Sequence, residues 1–370
     1  MSMKQQFDRL AIIGLGLIGG SFGMALRRAG VVGEIIGIDT DPNTREDAVR
    51  MGAVDRSTAD LPQGIRQAEV VVVATPVGQI PFVLRAMAPD LAPGTLVTDV
   101  GSSKGSVFLA ATGALPPGVV FIGGHPMAGS ERGGIAAANP YLFENAFYVL
   151  TPTPGQEHHF LTGRLLELVK STGARPIFMD PWEHDRVVAA VSHLPHMVAA
   201  ALVNTLAQVA SSEVYFSLAA GGFRDTTRIA GGDPLLWRDI FLSNKERVLE
   251  MIDQFQAVLG SLRDMLASGQ EKELVAALDD ARRVRHEIPA KVKGMLAPLY
   301  ELVVVLADEP GAIGRVAFLL AQEGINIVDI EILRVREGEG GTLRLGLGNP
   351  ESVQRAVSVL RAAGFTARER

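Results

Sequence analysis

Apolar positions fall along this chain in three successive patterns. From residue 7 to about 181, short unbroken apolar runs alternate with amphipathic stretches. The runs are Leu10–Ile13, Glu34–Asp39, Glu69–Pro76, Thr95–Val100, Val119–His125, Phe147–Pro152 and Pro176–Asp180. They are rich in β-branched residues and do not alternate with polar ones, which predicts strands buried on both faces. Between them the spacing predicts helices, among them Ser21–Arg28, Asn43–Met51 and His159–Ser171. Strand–helix alternation of this kind predicts an α/β domain with a mostly parallel, doubly wound sheet, spanning 7–181.

From Trp182 to about Pro298 helical periodicity takes over. Long helices are expected over His184–Ala210, Asp233–Leu266 and Glu271–Met295, interrupted by glycine-rich breaks at Ala219–Gly222 and Gly231–Asp233. The run Met197–Ala210 is apolar nearly all round and is expected to be buried on most faces. An all-α domain with such surfaces (182–298) commonly packs on its twin, so a homodimer is expected. From 299 to 370 the pattern changes again. Strands at Glu301–Asp308, Asn326–Val335, Thr342–Leu347 and Phe365–Arg368 alternate with helices at Gly311–Glu323 and Ser352–Ala363. The order βαββαβ predicts a small ferredoxin-like unit.

The first apolar run ends in Gly14-Leu15-Gly16-Leu17-Ile18-Gly19, the spacing G-x-G-x-x-G. Gly14 permits a tight turn, Gly16 lets backbone approach a pyrophosphate, and Gly19 lets helix pack close on strand. The helix that follows aims its free amides at the same place. The next strand ends in Asp39, where a carboxylate would hold the ribose 2′-hydroxyl of NAD and repel a 2′-phosphate. Arg45 lies near enough to soften that preference. Ligands of such sheets bind at the carboxyl ends of the strands, which brings in Thr75-Pro76, Asp99–Lys104 and His125–Ser130.

The chain has 370 residues, 47% hydrophobic and 21% charged, with net charge −6 and no cysteine. That suits a soluble protein of two or three domains and excludes disulfides, thiolate metal sites and cysteine nucleophiles. The negative charge gives no electrostatic case for nucleic acid or an anionic membrane. No uninterrupted apolar stretch is expected to reach the length of a membrane span, and the expected location is the cytoplasm.

Three further stretches carry candidate chemistry. In Gly123–Glu131, His125 follows a strand end between glycines and a proline, a rigid setting for a proton acceptor near neutral pH. In Ser192–His196, two histidines three apart do not by themselves make a metal site, and none is expected. Pro195 is expected to kink the helix there. In Gly221–Ile229, Arg224 and Arg228 are four apart and would share a helix face suited to a carboxylate.

Taken together, these stretches resemble the prephenate dehydrogenase family. The resemblance spans GLGLIGGS, Asp99–Gly105 (DVGSSKG), GGHPMAGSE, SHLPH, GGFRDTTRIA and the C-terminal unit, so it covers essentially the whole chain. It implies oxidative decarboxylation of prephenate to 4-hydroxyphenylpyruvate with hydride transfer to NAD⁺, in tyrosine biosynthesis. In that family the histidine matching His125 contacts the ring hydroxyl, and the arginine matching Arg228 holds a carboxylate. Ser102 would lie beside the histidine and the nicotinamide, with Ser103 the alternative. His193, with His196 the alternative, joins Gly221, Trp237, Ser130 and Glu131 around the substrate. Gly14, Gly16, Leu17, Ile18, Gly19, Asp39, Thr75 and Pro76 would hold NAD. The C-terminal unit is similar to ACT domains, so Asp308, Pro310, Gly311, Ala312 and Asn326 would bind an effector, with tyrosine expected as the feedback inhibitor. Arogenate would fit nearly the same site, and a sensor without turnover is the non-enzyme alternative. Several other dehydrogenases with this first domain place a catalytic lysine at the start of the helical domain; Trp182-Glu183-His184-Asp185 supplies none.

Overall fold

The structure is a computed structural model that describes residues 5–129, 133–153, 155–288, 300–307, 309–336 and 339–369. Two compact units emerge, 1–292 and 293–370.

The first unit is built on an eight-stranded sheet of β1 (Phe7–Ile13), β2 (Val32–Ile38), β3 (Arg56–Thr58), β4 (Val70–Val73), β5 (Leu96–Asp99), β6 (Val120–Pro126), β7 (Phe147–Thr151) and β8 (Arg175–Phe178). Its order is β3-β2-β1-β4-β5-β6-β7-β8. All neighbours run parallel except β6 and β7. The unbroken apolar runs are explained by burial on both faces. Leu10, Ile12, Val70 and Val72 enter one core with Phe22, Leu26 and Leu165, whereas Ala11, Ile13, Val71 and Val73 enter the other with Ile80, Leu84 and Met87. A strand whose side chains alternate between two cores has no polar face to show in its sequence. Each such side chain, fully buried, contributes about 1.5–3 kcal/mol.

Past β8 the chain becomes helical. Asp180 caps Pro181–Val188 by accepting from the amides of Trp182 and Glu183. A wide π turn, Ala189–His193, then joins it to Leu194–Val209. The expected kink at Pro195 is thus taken up as an i→i+5 turn just ahead of the proline that lacks an N–H. The expected helix Asp233–Leu266 is two helices, Pro234–Ser243 and Lys245–Ala267, broken at Asn244. The next runs Glu271–Glu287, and the remainder of the expected 271–295 helix lies outside the described residues.

One expectation needs correction. Only His196 and Ala199 are buried in Leu194–Val209; Leu202, Val203 and Val209 are exposed, as are Phe216 and Leu218 beyond it. Among the described residues none covers this apolar surface, so within one chain it is a face and not a core helix. Further, Pro181–Val209 is a 29-residue helix long and apolar enough, by length and composition alone, to cross a bilayer. Its apolar residues serve that same outward face, while His184, Asp185 and His193 are buried in polar contacts described below.

The second unit is an antiparallel sheet of β9 (Tyr300–Leu306), β10 (Ile327–Arg336), β11 (Glu339–Leu347) and β12 (Thr366–Glu369), in the order β10-β11-β9-β12. Helices Ala312–Gln322 and Pro350–Ala362 pack on it through Val316, Leu320, Val353, Val357 and Leu360. This is the βαββαβ ferredoxin-like unit the sequence predicts.

Candidate active site

The glycine turn lies at the carboxyl end of β1. Gly14 has φ +93°, and a Cβ on it would stand 2.8 Å from the backbone of Ala74. A Cβ on Gly19 would collide with the Gly14 carbonyl oxygen, which fixes how closely helix Leu17–Ala29 seats on the turn. Gly16, by contrast, has nothing within 4 Å of where its Cβ would be. It begins the helix with no side-chain cap, so open space and free amides coincide. Leu17 and Ile18 form the first helical turn, and Thr75 and Pro76 follow β4 beside it. Asp39 accepts from the amides of Leu15 (2.9 Å) and Asp41 (3.0 Å), which leaves acceptor positions on both carboxylate oxygens. Arg45 is committed to the carbonyls of Asp39 (2.8 Å) and Thr40 (3.0 Å) instead of facing outward as a phosphate clamp. These residues fit NAD: room for a pyrophosphate, donors for it, and a carboxylate for the ribose.

Two strands along, a dense polar cluster fills the sheet's edge. Asp99, at the end of β5, is fully buried and accepts from the amides of Gly101 (2.8 Å) and Gly124 (3.1 Å). The buried ammonium of Lys104 pairs with it and donates to the Gly124 carbonyl (2.8 Å). Burial pushes the Lys104 amine down and the Asp99 charge opposes this. Gly123 and Gly124 leave no room for a Cβ against Thr151 Oγ1 and the Asp99 carbonyl, so β6 lies directly on this pair.

His125 is not past the end of β6, as the sequence predicts, but within it, opposite Val149 of the antiparallel β7. The ladder therefore holds its backbone, a firmer mounting than a loop. Its Nδ1 lies 2.8 Å from Nε2 of the fully buried His184, and His184 Nδ1 lies 2.9 Å from Asp185 Oδ1. Asp185 in turn accepts from the amides of Lys104 (2.7 Å) and Gly105 (2.8 Å). Burial, with His184, Lys104 and His193 nearby, holds the His125 imidazole well below its ordinary value and so neutral.

His193 is buried in the π turn, and burial pushes its imidazole down to about 4. The Asn244 amide reaches both the Asp185 carbonyl (2.8 Å) and His193 Nδ1 (3.3 Å). His196 stacks on Trp237 with centroids 3.6 Å apart, and Trp237 meets His193 edge-on at 6.3 Å. Among the serines, Ser103 is buried and donates to Ser243 Oγ (2.8 Å), while Ser102 is part-exposed. Gly221 opens the short helix Gly221–Thr227, and Arg228, itself exposed, begins the 3-10 turn after it. Arg224 donates to the Ala219 carbonyl (3.1 Å). Ser130, Glu131 and Asp308 lie outside the described residues. No cluster of three or more metal-binding side chains occurs among the described residues.

Sequence reasoning missed Asp99, Lys104, His184, Asp185 and Asn244. A lysine among small residues five positions after a strand-end aspartate was the available hint for the first pair. The others gave none, because His125 and His184 are 59 residues apart.

In the second unit, Gly311 (φ +87°) begins helix Ala312–Gln322 without a side-chain cap, following Pro310. Asn326 is exposed just before β10.

Comparison with known proteins agrees along the whole chain. Family models match at residues 22–178 (prephenate dehydrogenase, nucleotide-binding domain), 180–280 (prephenate dehydrogenase, dimerization domain) and 300–365 (ACT domain). The prephenate dehydrogenase of Bacillus subtilis (strain 168) is 38% identical over 365 residues, covering 97% of both chains. The crystal structure of prephenate dehydrogenase from A. aeolicus, in complex with hydroxyphenyl propionate and NAD⁺, superposes with TM-score 0.70 at 36% identity, covering 78% of this chain and 99% of that one. Synechocystis arogenate dehydrogenase superposes with TM-score 0.66 at 34% identity, covering 75% and 99%. With its NAD-binding Rossmann domain, its helical dimerisation domain and its C-terminal ACT domain, the chain belongs to the prephenate dehydrogenase family.

Proposed function

We propose that this protein oxidises and decarboxylates prephenate to 4-hydroxyphenylpyruvate. NAD⁺, when bound over the glycine turn, supplies the hydride acceptor. The observation that carries the reading is a neutral, strand-mounted His125 at the edge of the sheet that holds the nucleotide turn. Losing hydride from the hydroxyl-bearing ring carbon builds positive charge there. A neutral imidazole taking the hydroxyl proton relieves that charge as a carbonyl forms. The ring carboxylate then departs as CO₂, and aromatisation drives the step.

Arg228 anchors a substrate carboxylate and aims the reacting carbon. Ser102 is the serine we assign to the histidine and nicotinamide, since Ser103 is tied to Ser243. His193, Gly221 and Trp237, with Ser130 and Glu131, complete the surroundings of the substrate. Gly14, Gly16, Leu17, Ile18, Gly19, Asp39, Thr75 and Pro76 hold NAD. The working unit is a homodimer formed through the apolar face of Leu194–Val209, in the cytoplasm. Residues 7–181 hold nucleotide, 182–298 the substrate and partner, and 299–370 the effector. That effector is tyrosine, taken by the turn of Pro310, Gly311 and Ala312 together with Asn326 and Asp308.

Arogenate is the second reading, since a solved relative is an arogenate dehydrogenase. NADH formation from purified protein decides between them. Prephenate turnover suppressed by tyrosine is the expected result; preference for arogenate moves the substrate assignment, and no turnover of either ends the catalytic reading. His125→Asn should lower kcat by about 10²–10⁴-fold, whereas Arg228→Ala should chiefly raise KM. The opposite pattern would reverse the two roles.

A further inference from the structure

A neutral imidazole can take a proton only at the nitrogen that lacks one, so the tautomer of His125 decides whether it can act at all. The surrounding bonds fix that tautomer when followed from the buried end. Asp185 accepts one backbone amide at each oxygen, from Lys104 and Gly105, and as a carboxylate it only accepts. His184 Nδ1, 2.9 Å from Asp185 Oδ1, must therefore donate. A neutral ring has one proton, so His184 Nε2 carries a lone pair. That lone pair faces His125 Nδ1 at 2.8 Å, so Nδ1 carries the His125 proton. His125 Nε2 is left as the acceptor.

The neighbouring histidine is set the other way. Asn244 Nδ2 donates to the Asp185 carbonyl, which fixes the orientation of its amide. Its second hydrogen faces His193 Nδ1 at 3.3 Å, so Nδ1 of His193 is the acceptor and its Nε2 carries the proton. One short stretch of helix thus holds two rings in opposite tautomers.

We infer that His184 and Asp185 are positioning residues that hold His125 in the Nδ1–H tautomer, so that its Nε2 is the atom that receives the substrate's hydroxyl proton. The inference rests on the reading in which His125 is that acceptor. The O–H bond breaks, a bond to Nε2 forms, and the imidazolium keeps its Nδ1–H donated to His184 until Nε2 returns the proton to water. The Asp185 carboxylate, at the far end of the two rings, favours the charged ring. Burial first, and then the neighbouring His184, Lys104 and His193, oppose that charge and keep the resting ring neutral.

The test uses the full-length protein with ¹⁵N-labelled histidine. Ring ¹⁵N shifts should show Nδ1–H at His125 and Nε2–H at His193 in the wild type; Nε2–H at His125 overturns the inference without any variant. His184→Leu removes the acceptor, and should lower kcat about 10–100-fold with KM changed less than about threefold, while moving the His125 proton to Nε2. His184→Gln, whose Oε1 can accept from Nδ1–H, should restore most of the rate. A His184→Leu enzyme that keeps kcat within about twofold overturns the relay even if His125→Asn is inactive. If His125→Asn itself turns over normally, the underlying reading fails, and the wild-type shifts still decide the tautomer.

Discussion

The nucleotide turn and the histidine cluster stand at the same edge of one sheet, yet they are built from opposite materials. In the turn, backbone does the binding and side chains are kept away: Gly14 and Gly19 have no room for a Cβ, and Gly16 faces open space. Its parts lie within six consecutive residues. In the cluster, buried charges and rings do the work, and they come from β5, β6, the Lys104 loop, two helices and the break at Asn244. A backbone device is cheap to keep buried because its donors are already in place. A side-chain device must satisfy every buried charge with a partner brought from far along the chain.

The sharpest way to break the comparison is at the charges. Lys104→Met leaves Asp99 buried without its counter-ion, and should cost about 3–5 kcal/mol in chemical denaturation. A loss below about 1 kcal/mol would mean that the two backbone amides suffice for Asp99, and that the cluster is no more demanding than the turn.

Acid should expose the same difference. His193 titrates near 4 in the folded chain and near 6.5 when unfolded, so below 6.5 the unfolded state binds the extra proton. Its contribution is full above about pH 6.5 and is lost as pH falls toward 4, amounting to on the order of 3 kcal/mol. His125 and His184, also lowered, act in the same direction. Melting followed from pH 7 to 4 checks this; a flat profile would mean the rings take up protons in the fold as readily as in the unfolded chain.

Within the turn the effects should be smaller and separable. Gly14→Ala forces a side chain onto φ +93° against the Ala74 backbone and should cost about 1–3 kcal/mol. Gly16→Ala meets nothing in the fold, so its melting temperature should hold while NAD affinity falls about tenfold, or ~1.4 kcal/mol. If Gly16→Ala instead unfolds the protein and leaves affinity intact, open space at that position is not a binding surface.

This contrast also explains what could be read in advance. The sheet, the βαββαβ unit and the turn were legible because periodicity and glycine spacing are local signals. His125 was legible as a residue, but its mounting was not: the antiparallel β7 that holds it has no signature separating it from a parallel strand. Asp99 and Lys104 stood in view inside Asp99–Gly105, and what hid them is that a buried lysine looks like any other until its partner is known. The break at Asn244 was missed because the pattern on either side stays helical, and the bonds that favour it are tertiary ones to Asp185 and His193. Met197–Ala210 was expected to be buried on most faces, yet Leu202, Val203 and Val209 are exposed in the single chain, because composition reports apolar character and not what packs against it.

The π turn at Ala189–His193 has a consequence for how this chain can vary. An α-helix advances about 100° per residue, and a π turn carries one residue more than an α turn. Deleting a single residue there would leave a regular and locally more comfortable helix. Because the wide turn takes up its extra residue within itself, the halves on either side would keep their facing, and only the turn that holds His193 would be disturbed. The extra residue is thus a local insertion that shapes the seat of His193 and leaves the outward face where it is.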